Sequence, residues 1–382
     1  MLKLGRRFYS GSSSRLTCFV GSYTHDIPLA QAIGNGSGVY TCTFDLESGI
    51  LEEKSVATGI KNPAVLCPDH SKKYMYVLSE IHEEPGGSIT AFRIGQDGRL
   101  IHINSSLTQG CAPCALTVDP SNRFVVVANY LSSSVAIFRL QDDGSVSEHP
   151  VQVIEYPPEV GTHPTRQEAP HPHDVKFLRT GDKTTLLVAD FGVDKILQYN
   201  FCQDSGTAAP VSTATAVPAG SGPRHFAQVA GQEGQAAKRL FVSSELLNTV
   251  LALDFHGQEQ VLELAGQPVD ILPPGFQWGA KHTAAHILPH PNGRFLYVSN
   301  RGHDSISTMA IDQGSGCVSW VGCVETGKIP RHFAIDATGQ FMLVCSQNSN
   351  EINVFSIEAG SGMLKQVSTL SIGSPVWLQF LG

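Results

Sequence analysis

The sequence predicts an all-β fold, a seven-bladed β-propeller, from three observations. A short strand pattern that in most copies starts with proline occurs seven times along the chain. In six copies it is followed by a hydrophobic strand, a polar loop and a further strand, and the seventh copy stands at the end of the chain. The six steps from the first opener, Pro63, to the last, Pro375, average 52 residues, so seven units account for almost all of the 382 residues. Several strands within a period of this length are typical of propeller blades.

The strands of each unit are placed by proline, by turn residues and by alternation of apolar and polar residues. The first strand begins at a proline in six copies and near Thr283 in the seventh. The six prolines are Pro63, Pro113, Pro172, Pro223, Pro330 and Pro375. Second strands, rich in residues that favour β-structure, are predicted at 74–78, 124–128, 185–189, 239–243, 295–299 and 341–345. Third strands, such as 134–138, have the alternation of a half-buried strand.

The two ends of the chain are expected to form one blade together. Residues 375–380 have the pattern of an opening strand with nothing after it, and residues 16–22 have that of a second strand with no opener before it. Pairing of the N-terminal strands with the C-terminal strand would close the ring and leave no unpaired inner edge. We therefore predict a single propeller domain over residues 16–382. Two inserts, at about 155–170 and 203–220, are predicted to be surface loops.

Residues 1–15 differ in composition from the rest of the chain. They carry Lys3, Arg6, Arg7 and Arg15, and the first acidic residue of the chain is Asp26. An arginine-rich, serine-rich and acid-poor leader is typical of a mitochondrial transit peptide, and Arg-Phe-Tyr-Ser at 7–10 resembles a processing site. A disordered leader on a cytoplasmic protein fits the same composition. The sequence thus predicts a mitochondrial or a cytoplasmic location, with neither preferred.

Composition argues against several classes of function. The net charge of −8 provides no basic surface for nucleic acid, and no stretch approaches the roughly 18–20 apolar residues of a membrane span. Nine cysteines, an odd number, favour a reducing compartment over a disulfide framework. Cys111-Ala-Pro-Cys114 has the spacing of a redox motif, but it opens a propeller strand with no helix after it, so redox chemistry is not predicted there. The oligomeric state is not indicated.

The repeat also predicts which distant residues meet. In a blade the strands run alternately up and down, so the loop entering strand one and the loop leaving strand two share a face. Two rings of residues should therefore surround the mouth of the central channel. Ring one, after the opening proline, contains Ala64, Cys114, His173, Arg224, Arg331 and Val376. Ring two, after strand two, contains Glu80, Asn129, Asp190, Glu245, Asn300 and Gln347. Because ring two is polar throughout, a small-molecule site is expected at this mouth.

Arginines from three blades indicate the kind of ligand. Arg224, Arg301 and Arg331 are all predicted to point at the mouth, and a guanidinium fork suits a carboxylate or a phosphate. Inter-blade salt bridges are the alternative role for each arginine. His173 stands at a position facing the site and is the acid–base candidate.

The positions of the remaining polar residues in the repeat predict their roles. Asn129, Asn300 and His303 are predicted to contact substrate, and capping of loop amides is the alternative for the residues of ring two. His225 and His332 share one repeat position, each before a phenylalanine, which favours a packing role. A metal centre needs three or four ligands at suitable spacing. Because the acidic partners of the histidines are dispersed, no metal and no other cofactor is predicted.

Several of these segments resemble one protein family. The segments are Pro-His173-Asp, Gly-Pro-Arg224-His-Phe, Ser-Glu245-Leu-Leu-Asn, Ser-Asn-Arg301-Gly-His-Asp-Ser-Ile and Pro-Arg331-His-Phe. They resemble the seven-bladed lactonase family, which includes bacterial 6-phosphogluconolactonases and fungal carboxy-cis,cis-muconate lactonising enzymes. The resemblance covers nearly everything from residue 16 to 382, and the segment around Arg301 is its most specific part. It implies a metal-independent site that contains His173, Glu245, Arg224 and Arg301, whereas Arg331 is added from the repeat geometry.

The predicted function is hydrolysis of an anionic sugar lactone, with 6-phosphogluconolactone as the first choice of substrate. Lactone opening requires a base for the attacking water, an acid for the leaving alkoxide and stabilisation of the oxyanion. Glu245 and His173 are the expected base and acid, in either order, and Arg301 and Arg224 are expected to stabilise charge. A cycloisomerase that closes a carboxylated muconate would use similar anion clamps. A non-catalytic propeller that binds other proteins is the alternative from another class.

Overall fold

The computed structural model describes residues 14–211, 214–229, 238–257 and 259–381. They form antiparallel β-sheets joined by loops, with two short 3-10 turns at Pro28–Ala30 and Gln347–Ser349. Within the described ranges, no helical segment has the length and apolarity that crossing a bilayer requires. Most of the predicted leader, residues 1–13, lies outside the described residues.

The chain begins with three strands of one sheet and then builds three complete blades. The N-terminal strands are β1 (Arg15–Ser22), β2 (Val39–Asp45) and β3 (Ile50–Ala57). Blade 1 contains β4 (Pro63–Pro68), β5 (Tyr74–Ser79), β6 (Ser88–Ile94) and β7 (Leu100–Leu107). Blade 2 contains β8 (Pro113–Val118), β9 (Phe124–Asn129), β10 (Ser134–Arg139) and β11 (Gln152–Glu155). Blade 3 contains β12 (Pro172–Thr180), β13 (Lys183–Asp190), β14 (Lys195–Cys202), β15 (Thr207–Pro210) and β16 (Thr215–Ala216).

Three further blades and a single strand complete the chain. Blade 4 contains β17 (Pro223–Gln228), β18 (Lys238–Ser244), β19 (Thr249–His256), β20 (Val261–Leu264) and β21 (Val269–Asp270). Blade 5 contains β22 (Thr283–Pro289), β23 (Phe295–Arg301), β24 (Ser305–Ile311) and β25 (Val318–Glu325). Blade 6 contains β26 (Pro330–Ile335), β27 (Phe341–Ser346), β28 (Glu351–Ile357) and β29 (Leu364–Ser371). The last strand is β30 (Pro375–Phe380).

Blade 7 is assembled from both ends of the chain. Its strand order is β3-β2-β1-β30, and β1 pairs antiparallel with β30 from Cys18 opposite Phe380 to Ser22 opposite Pro375. The first strands of neighbouring blades contact one another all the way round, and β30 contacts both β26 and β4. The predicted seven-bladed propeller, closed by pairing of the N-terminal strands with the C-terminal strand, is confirmed.

The apolar core lies between neighbouring blades. Tyr76 and Leu78 of blade 1 pack against Val125 and Phe138 of blade 2 in one buried cluster. Similar clusters join the later blades. Burial of both faces of each sheet explains why the second strands read as continuous hydrophobic runs. The blades are therefore held in a fixed ring that positions the loops at the channel mouth.

The first strand of each blade carries a β-bulge close to its start. In blade 3, for example, the pairing with β13 shifts between Pro172 and Asp174 and leaves His173 unpaired. The residues passed over in the seven blades are Ala64, Cys114, His173, Arg224 with His225, Ala285 with His286, Arg331 and Val376. A bulge redirects the side chain of its extra residue. Most of these residues line the channel or its mouth, so the bulge is what turns ring one inward.

The two inserts differ from the prediction that both are surface loops. The insert at 203–220 includes β15 and β16, which pair with β14 as the outer strands of blade 3, and residues 212 and 213 lie outside the described ranges. The insert at 155–170 turns inward at its end, where Gln167 is almost fully buried. Both differences arise because an insert can supply an edge strand or fold over the mouth without disturbing the repeat.

Candidate active site

One cavity lies at the mouth of the central channel, and all seven blades contribute to its wall. Its lining residues are Leu29, Ala30, Gln31, Glu80, His82, Ala112, Cys114, Tyr130, Arg166, His173, Arg224, Glu245, Ala280, Lys281, Thr283, Arg301, Ile329 and Arg331. The structure thus brings together His173, Arg224, Glu245, Arg301 and Arg331, as the repeat predicted. The channel continues below them between Ala64, His225, Val376 and Trp377.

A single carboxylate binds three arginines on one side of the cavity. Glu245 Oε2 accepts a hydrogen bond from Arg224 Nε at 2.9 Å and forms an ion pair with a terminal nitrogen of Arg301 at 2.8 Å. Arg166 donates to Glu245 Oε1 at 3.1 Å. Burial opposes ionisation of Glu245, but the charges of Arg301, Arg166 and Arg224 outweigh it and hold its pKa well below the usual value. Glu245 is therefore ionised and aligns three guanidinium groups.

Two of these arginines are largely shielded from solvent, Arg224 fully and Arg301 partly. Arg224 is 2% exposed, and burial together with the charge of Arg301 lowers its pKa to about 9. Arg301 also donates to the carbonyl of Ala284 at 3.0 Å. Its Nε is buried and has no hydrogen-bond partner among the described residues. Because buried donors in native proteins are nearly always satisfied, this nitrogen is a candidate donor to a bound anion.

Arg166 was not predicted from the sequence. It belongs to the insert at 155–170, and its guanidinium lies 4.8 Å from the centre of the Phe191 ring. The neighbouring Gln167 donates to the Phe191 carbonyl at 2.8 Å and to Asp194 at 2.9 Å. Gln167 thereby ties the end of the insert to blade 3 and places Arg166 over the cavity. The repeat does not predict the position of Arg166, because the insert that contains this residue interrupts the repeat.

A second carboxylate occupies the opposite side of the cavity. Glu80 Oε2 accepts a hydrogen bond from the Tyr23 hydroxyl at 2.7 Å, and Glu80 Oε1 lies 3.2 Å from His82 Nε2. Arg331 is 3.7 Å from Glu80, beyond hydrogen-bond distance, and 5.5 Å from the centre of the Tyr23 ring. Burial opposes ionisation of Glu80, but His82 and Arg331 lower its pKa overall. The guanidinium N–H groups of Arg331 therefore have fewer close protein acceptors than those of the arginines around Glu245.

His173 stands between these two clusters. Its Nδ1 lies 3.9 Å from Cys114 Sγ, and its ring makes edge contacts with Tyr130 at 5.5 Å and His225 at 5.5 Å between centroids. Burial and then the charge of Arg224 lower its pKa well below the usual value. The imidazole is therefore neutral at neutral pH, and a neutral imidazole can accept a proton.

This electrostatic environment yields a prediction for His173. NMR of the histidine-labelled protein should show the His173 ring titrating well below the midpoint of a free imidazole, because burial and the charge of Arg224 both oppose its protonation. The signal is assigned by its loss in His173→Gln, and N-acetylhistidine in the same buffer, with a midpoint near 6.5, is the control. A His173 midpoint at or above 6.5 would contradict the predicted environment.

Three residues predicted to contact substrate do not line the cavity. Asn129 donates to the Thr108 carbonyl and to Ser134 Oγ, and Asn300 donates to the hydroxyls of Ser305 and Ser307. His303 contacts Ser305 Oγ at 2.7 Å and the ring of Phe276. These asparagine amides donate to a carbonyl and to hydroxyls, whereas Asp190 of ring two accepts from the amides of His171 and Gly192, which is the alternative role of capping loop amides.

A column of aromatic rings fills the channel beneath the cavity. His286 stacks on His332 with 3.9 Å between centroids, and His332 stacks on Trp377 at the same distance. His225 Nδ1 lies 2.9 Å from His286 Nδ1, and burial together with Arg224 lowers the pKa of His286 to about 3. His225 and His332 lie inside this packed column, where a packing role was predicted.

Charge and ligand type follow from the lining residues. Five cationic side chains, four arginines and Lys281, face two carboxylates, which leaves an excess of three positive charges. Among the residues that the structure describes, no three histidine, cysteine or acidic side chains are grouped so that they could hold a metal ion. A net-positive cavity at the mouth of a channel is suited to an anionic small molecule.

The fold and the cavity define the class: a seven-bladed propeller with a net-positive cavity at its channel mouth. A family model described as lactonase, 7-bladed beta-propeller, matches residues 17–380, and the protein belongs to this family.

Individual relatives are consistent with that membership. The chain is 32% identical over 325 residues to a 6-phosphogluconolactonase of Bacillus subtilis, covering 84% of this chain and 85% of the relative. It is 30% identical to a 6-phosphogluconolactonase of Formosa agariphila, covering 83% and 86% respectively. The solved structure of a periplasmic gluconolactonase of Pseudomonas aeruginosa matches with a TM-score of 0.83 and 29% identity, over 97% of this chain and 99% of that one.

Proposed function

We propose that this protein is a lactonase that hydrolyses 6-phosphogluconolactone to 6-phosphogluconate without a metal ion. The observation that carries the proposal is the excess of positive charge in a cavity that also holds a neutral histidine. The names of the Bacillus and Formosa relatives support a phosphorylated sugar lactone as substrate. The name of the Pseudomonas relative favours unphosphorylated gluconolactone as a second candidate.

The distribution of charge suggests how the substrate lies. The cationic residues on the blades themselves come from blades 4 to 6, and blade 2 contributes the uncharged residues Ala112, Cys114 and Tyr130. The phosphate group is therefore placed against Arg301 and Arg331, where donors remain for it. The lactone ring then lies against the blade 2 wall.

The chemistry follows from this placement. Neutral His173 accepts a proton from the attacking water as its oxygen bonds to the lactone carbonyl carbon. Arg224, whose charge acts directly on His173, stabilises the developing oxyanion. Glu245 is a weak base in this setting, because its oxygens already accept two hydrogen bonds and form an ion pair with Arg301, and its pKa is lowered. Its role is to align the arginines.

The test is a direct assay of the purified protein in the presence of a chelator. Disappearance of 6-phosphogluconolactone, gluconolactone and carboxymuconate is followed separately, each corrected for its spontaneous reaction. We expect acceleration of lactone opening, greatest for the phosphorylated lactone. Acceleration confined to carboxymuconate would identify a cycloisomerase instead. If none of the three reactions is accelerated, a non-catalytic propeller that binds other proteins would be favoured.

Residues 1–15 are proposed to direct the protein to mitochondria, on the basis of their composition alone. A fluorescent fusion of the full chain should then give a mitochondrial signal that becomes diffuse when residues 1–15 are deleted. A diffuse signal from both fusions would instead support a cytoplasmic protein.

A further inference from the structure

The cavity contains a second histidine that the mechanism above does not use. His82 lies in the loop between β5 and β6, two residues after Glu80, and its ring lines the cavity. Its side chain is 16% exposed. It therefore borders both the cavity and solvent.

The two ring nitrogens of His82 have different surroundings. Nε2 lies 3.2 Å from Glu80 Oε1, and Nδ1 has no hydrogen-bond partner among the described residues. Because Glu80 is an ionised acceptor, His82 donates its Nε2 proton to it. Glu80 therefore leaves Nδ1 as the ring nitrogen that is available to a bound substrate. When the ring is protonated, Nε2–H completes an ion pair with Glu80 and Nδ1–H is left as a donor.

The two residues directly before His82 are held by backbone hydrogen bonds. The Glu80 amide donates to the Asn62 carbonyl at 2.9 Å, and the Ala112 amide donates to the Ile81 carbonyl at 2.6 Å. The Glu80 carboxylate is in turn fixed by the Tyr23 hydroxyl at 2.7 Å. A functional side chain on such a support keeps its orientation.

The environments of the two cavity histidines are opposed. His173 lies beside the Arg224 cation, whereas His82 contacts the Glu80 carboxylate, with Tyr23 and Arg331 as the other polar groups around that carboxylate. Of these two histidines, His82 is the one with a carboxylate within hydrogen-bond distance of a ring nitrogen. The uncharged wall of blade 2 separates them.

We propose that His82 is the general acid of this site, with Glu80 and Tyr23 as positioning residues. This inference rests on the proposed lactone hydrolysis.

His173 takes the proton of the water whose oxygen bonds to the carbonyl carbon. As the acyl carbon–ring oxygen bond breaks, His82 gives the proton of Nδ1 to the ring oxygen, which becomes a hydroxyl. The new carboxylic acid ionises, and exchange with solvent returns both histidines to their starting forms, so that only water is consumed.

The experiment measures kcat and KM with 6-phosphogluconolactone for the wild type, His82→Gln, His82→Ala, Glu80→Gln and the control His102→Gln. His102 lies on the exposed outer strand β7, away from this cavity. We expect kcat to fall by about 10²–10⁴-fold in both His82 variants, with KM within about threefold of wild type. Glu80→Gln should lower kcat less, and His102→Gln should not change it. Added imidazole should restore part of the rate of His82→Ala.

Two outcomes separate this inference from the proposed function. An active wild type with an active His82→Gln, or a His82→Ala variant whose lost rate imidazole does not restore, overturns the role of His82 and leaves the lactonase proposal standing. A wild type that does not accelerate lactone opening overturns the proposed function and this inference with it. Circular dichroism of each variant confirms that the comparison is made between folded proteins.

Discussion

Glu245→Ala is expected to lower the rate of lactone hydrolysis by about 10³-fold and the free energy of unfolding by about 3–5 kcal/mol. The carboxylate is the shared partner of Arg166, Arg224 and Arg301, and its removal leaves buried cations that repel one another. The rate falls because the guanidinium groups lose their alignment. Urea unfolding followed by fluorescence, together with steady-state kinetics, measures both effects.

The pH dependence of this stabilisation has a definite sign. Because the folded-state pKa of Glu245 is lowered, its contribution is complete above the ordinary glutamate pKa of about 4.3 and is lost as the pH falls below that value. The difference in unfolding free energy between wild type and Glu245→Ala should therefore be constant from about pH 6 to 8. Glu52→Ala, at an exposed carboxylate of β3, is the matched control. Equal stability of wild type and Glu245→Ala at pH 7 would contradict the arrangement of the three arginines.

Arg301→Lys is expected to lower kcat/KM for 6-phosphogluconolactone by about 10²–10³-fold. One terminal nitrogen of Arg301 contacts both Glu245 and the Ala284 carbonyl, while its Nε has no hydrogen-bond partner among the described residues and is proposed to bind the substrate phosphate. A lysine ammonium is a single point and cannot satisfy these partners from one position. The loss should be much smaller with gluconolactone, which has no phosphate for Arg301 to bind.

Arg123→Lys is the control for this substitution. Arg123 forms an ion pair with the highly exposed Asp204 on the outside of the propeller, where such a pair contributes little. It should leave kcat/KM unchanged for both lactones. Equal losses for the two lactones in Arg301→Lys would contradict a phosphate-binding role and would favour a role at the oxyanion.

Much of the fold could be predicted from the sequence because the start of each blade is marked by a local sequence feature. All six opening prolines and Thr283 stand at the first residue of a first strand, since proline has no amide hydrogen to donate and is tolerated there. The incomplete patterns at both ends were sufficient to predict blade 7. The outer strands β15 and β16 were missed because edge strands bury one face poorly and show little alternation.

The candidate site was predictable only where it follows the repeat. His173, Arg224 and Arg331 occupy the bulge position, and Glu245 lies just after a second strand, so their place in the repeat determined their place at the mouth. Arg166 was missed because it belongs to an insert.

Two further outcomes concern ring two. Glu80 was placed in this ring without a catalytic role, and His82 two residues later was not considered. Asn129 and Asn300 share the ring position but donate to neighbouring protein groups, because a short amide reaches the adjacent hydroxyls and carbonyls. Position in the repeat predicts which face a residue lies on, whereas its hydrogen-bond partners depend on the neighbouring loops.

The central claim is that the cationic cavity selects a phosphorylated sugar lactone. The most direct test is the ratio of kcat/KM for 6-phosphogluconolactone to that for gluconolactone, measured with the wild-type protein at pH 7 and corrected for spontaneous hydrolysis. Engagement of the phosphate by Arg301 and Arg331 predicts a ratio of at least about 10². A ratio near one, with both lactones hydrolysed, would contradict the claim.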